Sequence, residues 1–166
     1  LVNKTKNAIN SKNINVIYEA TFEHLDTRVR TDVLIRKKNG WELLEAKSST
    51  RLKDEHIPDI SIQSFIVREC LKQIGHNLIS CKLIHINKDF TLENTEDYTD
   101  LINDENDISN KIIEIEKEIP NYIKDLLPLT EENSPCPEIE MGTHCNKPNE
   151  CNYKDRCEKS FLKKFL

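Results

Sequence analysis

Apolar and polar positions alternate in two neighbouring stretches near the start of the chain. In residues 15–24 (NVIYEATFEH) and 28–36 (RVRTDVLIR) β-forming residues recur at every second position, with Val29, Thr31, Val33 and Ile35 on one face. Both stretches are predicted as strands. Lys38-Asn39-Gly40-Trp41 then sets an Asn-Gly pair between two strand-like runs, a strong hairpin signal, and WELLEAK (41–47) is the returning strand. After a polar stretch ending at Pro58-Asp59 the period changes. Ile62, Phe65, Ile66, Cys70 and Ile74 recur at helical spacing, which predicts a helix of about four turns, capped near Asp59 and ended at Gly75. LISCKLIHIN (78–87) reads as a fourth strand.

The order β, β, β, α, β describes an α/β or α+β sheet core over residues 1–90. Residues 91–106 are acidic and poor in apolar groups. Ile108, Ile112, Ile115, Ile119, Ile123 and Leu126 mark an amphipathic helix that Pro120 should kink or break, so 91–130 is read as a connector packing on the core. Pro128, Pro135 and Pro137 break the chain before a loop-rich cysteine segment, 131–166, which closes on an amphipathic FLKKFL. At 166 residues these stretches fit one compact domain.

The net charge of −5 is unfavourable for a partner of nucleic acid until it is divided along the chain. Residues 1–90 carry 15 Lys and Arg against 11 Asp and Glu, residues 91–135 carry 3 against 13, and residues 136–166 carry 6 against 5. One acidic segment masks two mildly basic flanks, which leaves room for a basic groove. No apolar run approaches the ~18 residues of a membrane span, and no charged-then-apolar leader is present, so neither a membrane partner nor secretion is expected. Cysteines crowded near one end without a leader favour metal ligation over disulfides, and a cytoplasmic location. Opening on Leu1 rather than methionine, the chain is expected to be processed or part of a longer protein with further domains or subunits.

The hairpin carries the candidate chemistry. With Asn39-Gly40 as a two-residue turn, Lys38 faces Trp41, Leu34 faces Glu45 and Asp32 faces Lys47, so Asp32, Glu45 and Lys47 share a face. Asp32 and Glu45 are then diagonal neighbours roughly 7–8 Å apart at Cα, close enough for their side chains to converge on one ion. Mg²⁺ or Mn²⁺ takes such oxygen ligands. The bound metal would polarise a phosphodiester oxygen and lower the pKa of a water, with Lys47 as catalytic base or electrophile. A two-residue turn at Leu25-Asp26 would bring Glu19 opposite Asp32 as a further ligand. The simpler reading of the same residues is a cross-strand ion pair between Asp32 and Lys47.

R-T-D-V-L-I, then W-E-L-L-E-A-K-S-S-T, then a helix with I-Q-S-F, together resemble the PD-(D/E)XK nuclease superfamily in its RecB-like branch. In that resemblance Asp32 is the D, Glu45-Ala46-Lys47 the (D/E)-X-K, and Gln63 the glutamine of the helix that follows. From E-A-T-F (19–22) through H-I-P-D-I-S-I-Q (56–63) to the terminal cysteines, the chain is similar to an uncharacterised bacterial domain family of that superfamily. The resemblance implies a restriction-endonuclease-like central mixed sheet flanked by helices, and a phosphodiesterase site acting on DNA. Two positions depart from the branch: no histidine precedes His24, and Val67 stands where a tyrosine is often found.

Cys136, Cys145, Cys151 and Cys157 follow C-x8-C-x5-C-x5-C. Four thiolates suit a structural Zn²⁺ or a [4Fe–4S] cluster, and these spacings, longer than zinc-ribbon knuckles, favour the cluster. The resemblance points the same way, since RecB-like nucleases with C-terminal cysteines carry an iron–sulfur cluster. His144 could replace one thiolate. Cys70 and Cys81 are expected in the core. Arg28, Arg30, Arg51 and Lys53 could line a phosphate track, and Tyr18, Trp41 and Tyr153 could stack bases, but solvated surface charge is the preferred reading of each cation and a lid on the sheet that of Trp41. Three functions follow: a metal-dependent DNA nuclease acting on ends or single strands, a non-catalytic nucleic-acid-binding module of the same fold, and a zinc-binding interaction domain.

Overall fold

The computed structural model describes residues 1–93, 96–137, 139–147 and 149–163, with side chains described for all of these except 104–106 and 160–163. Two compact units are distinguished, Leu1–Asp125 and Leu126–Leu166. The first is an α+β unit: a five-stranded mixed sheet in the order β1-β2-β3-β4-β5, flanked by helices. Its strands are β1 (Val16–His24), β2 (Thr27–Lys37), β3 (Gly40–Lys47), β4 (Leu78–Ile86) and β5 (Ile102–Asp107). Its helices are α1 (Val2–Asn10), α2 (His56–Gln73) and α3 (Ser109–Leu126), the last residue of α3 being the first of the second unit.

The β1–β2 hairpin turns at Leu25 and Asp26, both at left-handed φ (49° and 53°), so that His24 pairs with Thr27. Such a turn matches the right-handed twist of the flanking strands. The ladder runs from Val16↔Ile35 to Tyr18↔Val33 and resumes at Ala20↔Thr31, passing over Glu19 and Asp32. Glu19 sits there at φ 57°, a costly conformation for a side chain in a strand.

The β2–β3 hairpin turns at Lys38-Asn39 instead of the expected Asn39-Gly40, pairing Lys37 with Gly40 and Arg36 with Trp41. Gly40 is needed as the first residue of β3, where a Cβ would lie 2.5 Å from the carbonyl oxygen of Asn77. That same oxygen accepts the Trp41 amide at 2.8 Å. The register moves by two residues, an even number, so every side chain keeps its face.

From β3 the chain crosses through α2 to β4, which lies parallel to β3 with Leu43↔Cys81 and Glu45↔Leu83 in register. Helix α2 begins three residues before the expected Asp59, taking in Pro58, whose missing N–H is harmless in a first turn. It buries Ile60, Ile66, Val67 and Leu71, while Trp41, Leu43 and Leu34 are wholly buried in the sheet. At the other end of the hairpin Arg36 stacks on Trp41, 4.2 Å from the ring centroid, and donates to the carbonyls of Ile9, Ser11 and Ile14. This cation closes the C-terminus of α1, a helix the sequence reading did not anticipate.

Residues 91–126 add one strand that the sequence pattern did not predict, and of the kink or break expected at Pro120 the break does not occur. The stretch read as a connector supplies a fifth strand, β5, antiparallel to β4. Helix α3 continues through Pro120. The proline removes one backbone bond, and buried Ile112, Glu116, Ile119 and Ile123 anchor the helix on either side. Glu116 accepts Ser64 Oγ at 2.6 Å and Arg68 Nε at 3.0 Å, tying α3 to α2.

In the second unit a 3-10 turn at Leu127–Thr130, another at Thr143–Cys145 and helix α4 (Lys154–Lys163) are joined by loops. Of the FLKKFL end, 161–163 continue α4 and 164–166 lie outside the described residues. Among the described residues no helix is long and apolar enough to cross a membrane.

Candidate active site

Glu45 and Lys47 lie two apart on β3, on the face that also carries Trp41 and Leu43. The last paired step of the β2–β3 ladder is Val33↔Leu44. Continued by one residue it brings Asp32 level with Glu45, not with Lys47 as the sequence reading expects. There the strands part, and the Asp32 carboxylate takes over the ladder's work: Oδ2 accepts the Ala46 amide at 2.7 Å. Asp32, Glu45 and Lys47 are brought together, in a register that differs from expectation by one pleat repeat.

Lys47 does not pair with Asp32. Its Nζ donates to Glu45 Oε1 at 2.8 Å and to Asp59 Oδ2. Burial opposes the ammonium charge, but Asp59 and Glu45 outweigh it and hold the group above its ordinary pKa. Burial raises the pKa of Glu45, and neighbouring Asp32 adds to the rise, while Lys47 and Gln63 partly offset it. Glu45 is only 6% exposed, and its Oε2 accepts no hydrogen bond. Gln63 is in the same condition, 9% exposed with Oε1 unpartnered. A buried acceptor left unpaired is costly, and Glu45 Oε2 with the neighbouring Asp32 carboxylate offers hard oxygen donors that a divalent cation would satisfy. The residues present therefore fit Mg²⁺ or Mn²⁺.

Helix α2 supplies one wall. His56, Asp59 and Gln63 stand at i, i+3 and i+7, one helical face. Asp59 and Gln63 both reach β3, at Lys47 and Glu45. The sequence reading uses Gln63 but misses Asp59 and His56, because it starts the helix at Asp59 and leaves His56 in a loop. Their spacing from Gln63 was the available signal. The turn at Leu25 and Asp26 sets Glu19 level with Asp32 in the ladder, as expected, but its exposed carboxylate meets Arg30 Nε at 2.6 Å. Among the described residues no three His, Cys, Asp or Glu side chains gather as a metal cage.

Neither a scan against protein-family models nor a search of curated proteins finds a match to this chain. The family likeness therefore rests on the motif residues themselves.

Of the cations considered for a phosphate track, Arg28 and Arg30 are committed to ion pairs with Glu23 and Glu19, and Lys53 to Glu55 at 3.4 Å. Arg51 is exposed in the loop between β3 and α2. Trp41 is wholly buried and serves the core, whereas Tyr18 and Tyr153 are exposed. Cys81 is buried in the sheet, as expected, and Cys70 is partly buried.

In the second unit all four cysteines are free thiols: Cys145 is buried, Cys151 and Cys157 are partly buried, and Cys136 is exposed. Cys145 and Cys151 are linked through the backbone, the Cys151 amide donating to the Cys145 carbonyl at 2.9 Å. Both sulfurs accept backbone amides, from Gly142 at 3.5 Å and Tyr153 at 3.4 Å. His144 is exposed beside Cys145. The described geometry does not draw the four sulfurs into one cage, so no chemical step is assigned to them.

Proposed function

We propose that this chain is a divalent-metal-dependent deoxyribonuclease of the PD-(D/E)XK kind, hydrolysing phosphodiester bonds at DNA ends or in single strands. The observation that carries the reading is the buried, unpartnered Oε2 of Glu45 beside Asp32, with a lysine ammonium on its other oxygen. Asp32 and Glu45 would hold Mg²⁺ or Mn²⁺, with Gln63 of α2 beside Glu45. Such a cation, when bound, supplies a Lewis acid and a water of lowered pKa. Lys47, held between Glu45 and Asp59, has no lone pair with which to accept a proton, so its part is to stabilise the negative charge of the reacting phosphate. The Asp32 bond to the Ala46 amide fixes the carboxylate from behind and leaves its other oxygen for the cation.

We also propose that Cys136, Cys145, Cys151 and Cys157 hold a [4Fe–4S] cluster in a structural role, with Zn²⁺ as the alternative. Support comes from the number of thiols and from the amides donated to Cys145 and Cys151. Six free thiols fit a reducing, cytoplasmic compartment. Iron and labile sulfide measured in anaerobically purified chain decide between cluster and zinc.

A second reading, a DNA-binding module of the same fold without catalysis, is favoured by Glu19, whose carboxylate is taken by Arg30 instead of joining Asp32. Digestion of linear, circular and single-stranded DNA separates the two readings. The nuclease cleaves only with Mg²⁺ or Mn²⁺ and loses activity in Glu45→Gln and Lys47→Ala. The binding module retains DNA and leaves it intact.

A further inference from the structure

The N-terminal turn of α2 contains a histidine where an acceptor alone would serve. His56 and Lys53 bond reciprocally: the His56 amide donates to the Lys53 carbonyl at 3.1 Å, and the Lys53 amide donates to His56 Nδ1 at 3.3 Å. Serine, aspartate and asparagine commonly accept such amides at helix starts. Histidine brings a second nitrogen. In a neutral imidazole one nitrogen accepts and the other carries the proton, so accepting at Nδ1 puts the hydrogen on Nε2. Nε2 is then a donor and has no lone pair for a metal.

The placement of this donor gives it a use. His56 is 9% exposed and lies on the α2 face that carries Asp59 and Gln63, the two residues that reach Lys47 and Glu45. Burial, followed by the nearby Lys47 charge, holds the imidazole below its ordinary pKa, which keeps it neutral and its tautomer defined. The ring thus offers a preset N–H on the α2 face that bears the two residues reaching Lys47 and Glu45, within the influence of the Lys47 charge. Neutral N–H donors to phosphate oxygens position a substrate without adding charge.

We propose that His56 is a substrate-binding residue of this site, donating Nε2–H to a non-bridging oxygen of the DNA phosphate that lies beside Lys47. The proposal rests on the nuclease reading of Asp32, Glu45 and Lys47, and its test keeps the two separable.

Two substitutions divide the ring's functions. His56→Asn keeps an acceptor near the Nδ1 position for the Lys53 amide and removes the Nε2 donor. His56→Gln keeps a donor near the Nε2 position and removes the acceptor. The affinity of the full chain for a fluorescein-labelled oligodeoxythymidylate, measured by anisotropy with Ca²⁺ in place of Mg²⁺, is expected to fall about tenfold in His56→Asn, the scale of one hydrogen bond to a charged group. In His56→Gln it is expected to stay within about threefold. Thermal melts read the fold separately, where a purely structural histidine makes His56→Gln the worse of the two. In ¹⁵N-histidine-labelled chain, the His56 ring is expected as the Nε2–H tautomer, with its Nε2 resonance moving when the oligonucleotide is added. Unchanged affinity in His56→Asn, weaker binding by His56→Gln than by His56→Asn, or an Nδ1–H tautomer overturns the proposal while leaving the nuclease reading in place. A parent chain that neither binds nor cleaves DNA overturns both.

Discussion

The carboxylate of Asp32 accepts the backbone amide of Ala46 at 2.7 Å, so a side chain on β2 completes the hydrogen bonding of β3 where the two strands separate. One residue is thereby held in position by the sheet and kept at the candidate metal site. Asp32→Asn retains an acceptor for the Ala46 amide and is expected to melt within a few degrees of the parent. Asp32→Ala is expected to cost about 1 kcal/mol, the net worth of one such bond, because exposed Ala46 can turn to water. Both variants are expected to lose Mn²⁺ affinity, so that calorimetry separates the structural from the ligand role. Full Mn²⁺ binding by Asp32→Asn would show that the carboxylate serves the sheet alone.

Glu19 lies level with Asp32 on the other neighbouring strand, at a one-step gap in the β1–β2 ladder, in the left-handed region at φ 57°. A non-glycine residue in this region costs roughly 1–2 kcal/mol, and the exposed Glu19–Arg30 pair returns little of it. Glu19→Gly is expected to raise stability by about 0.5–1 kcal/mol in urea denaturation, after the loss from glycine's greater freedom in the unfolded chain. Its Mn²⁺ affinity is expected to match the parent's. A tenfold drop in affinity would return Glu19 to the ligand set that the sequence reading gave it.

Gly40 allows β3 to approach the segment leading into β4. A methyl group placed there meets the Asn77 carbonyl oxygen at 2.5 Å and the Ile79 side chain at 2.7 Å. Gly40→Ala is expected to destabilise the chain by about 2 kcal/mol or more, measured by urea denaturation. An unchanged midpoint would mean that the approach is looser than described.

These three positions show what was legible in the sequence. Alternation located β1, β2 and β3, and helical spacing located α2, because each has one buried face. The hairpin register was read two residues out, since Asn-Gly is the usual turn pair and nothing local shows that Asn77 needs the glycine. The faces survived because an even shift keeps them. Helix α1 and strand β5 escaped notice for a different reason: VNKTKNAIN buries only Thr5 and Ile9, and INDEND gains its stability from pairing with β4, which no local pattern displays. At the candidate site, Asp32, Glu45 and Lys47 follow from the hairpin spacing and Gln63 from the family resemblance alone, whereas Asp59 and His56 required knowing that α2 starts at His56.

Glu42, on the opposite face of β3 from Glu45, gives a pH dependence of stability. Burial favours its neutral form, but bonds from Ser80 at 2.7 Å and Lys37 at 3.0 Å, together with the Lys82 charge, outweigh burial and hold its pKa below the ordinary 4.5. A pKa depressed by folding contributes stability above the unfolded value and loses it as pH falls through the folded value. The melting temperature is therefore expected to fall below about pH 4.5, less steeply in Glu42→Gln than in the parent. Parallel acid limbs for the two chains would remove Glu42 from the account.

Cys81 is wholly buried between sheet and helices, and burial pushes its thiol pKa up to about 12. Iodoacetamide near neutral pH is expected to leave it unmodified in the native chain and to reach it only on unfolding, as mass mapping reads. Alkylation of Cys81 at the rate of a cysteine in a short unfolded peptide would contradict the core described for the first unit.

The claim on which the rest depends is that the buried, unpartnered oxygen of Glu45 belongs to a divalent cation. Calorimetric titration of Mn²⁺ into the full chain and into Glu45→Gln, a change that keeps the shape of the side chain and removes its charge, tests this most directly. Binding of one Mn²⁺ by the parent, weakened at least about tenfold in Glu45→Gln, is the result expected for a carboxylate ligand. Equal binding by the two chains, or none by the parent, would contradict the account.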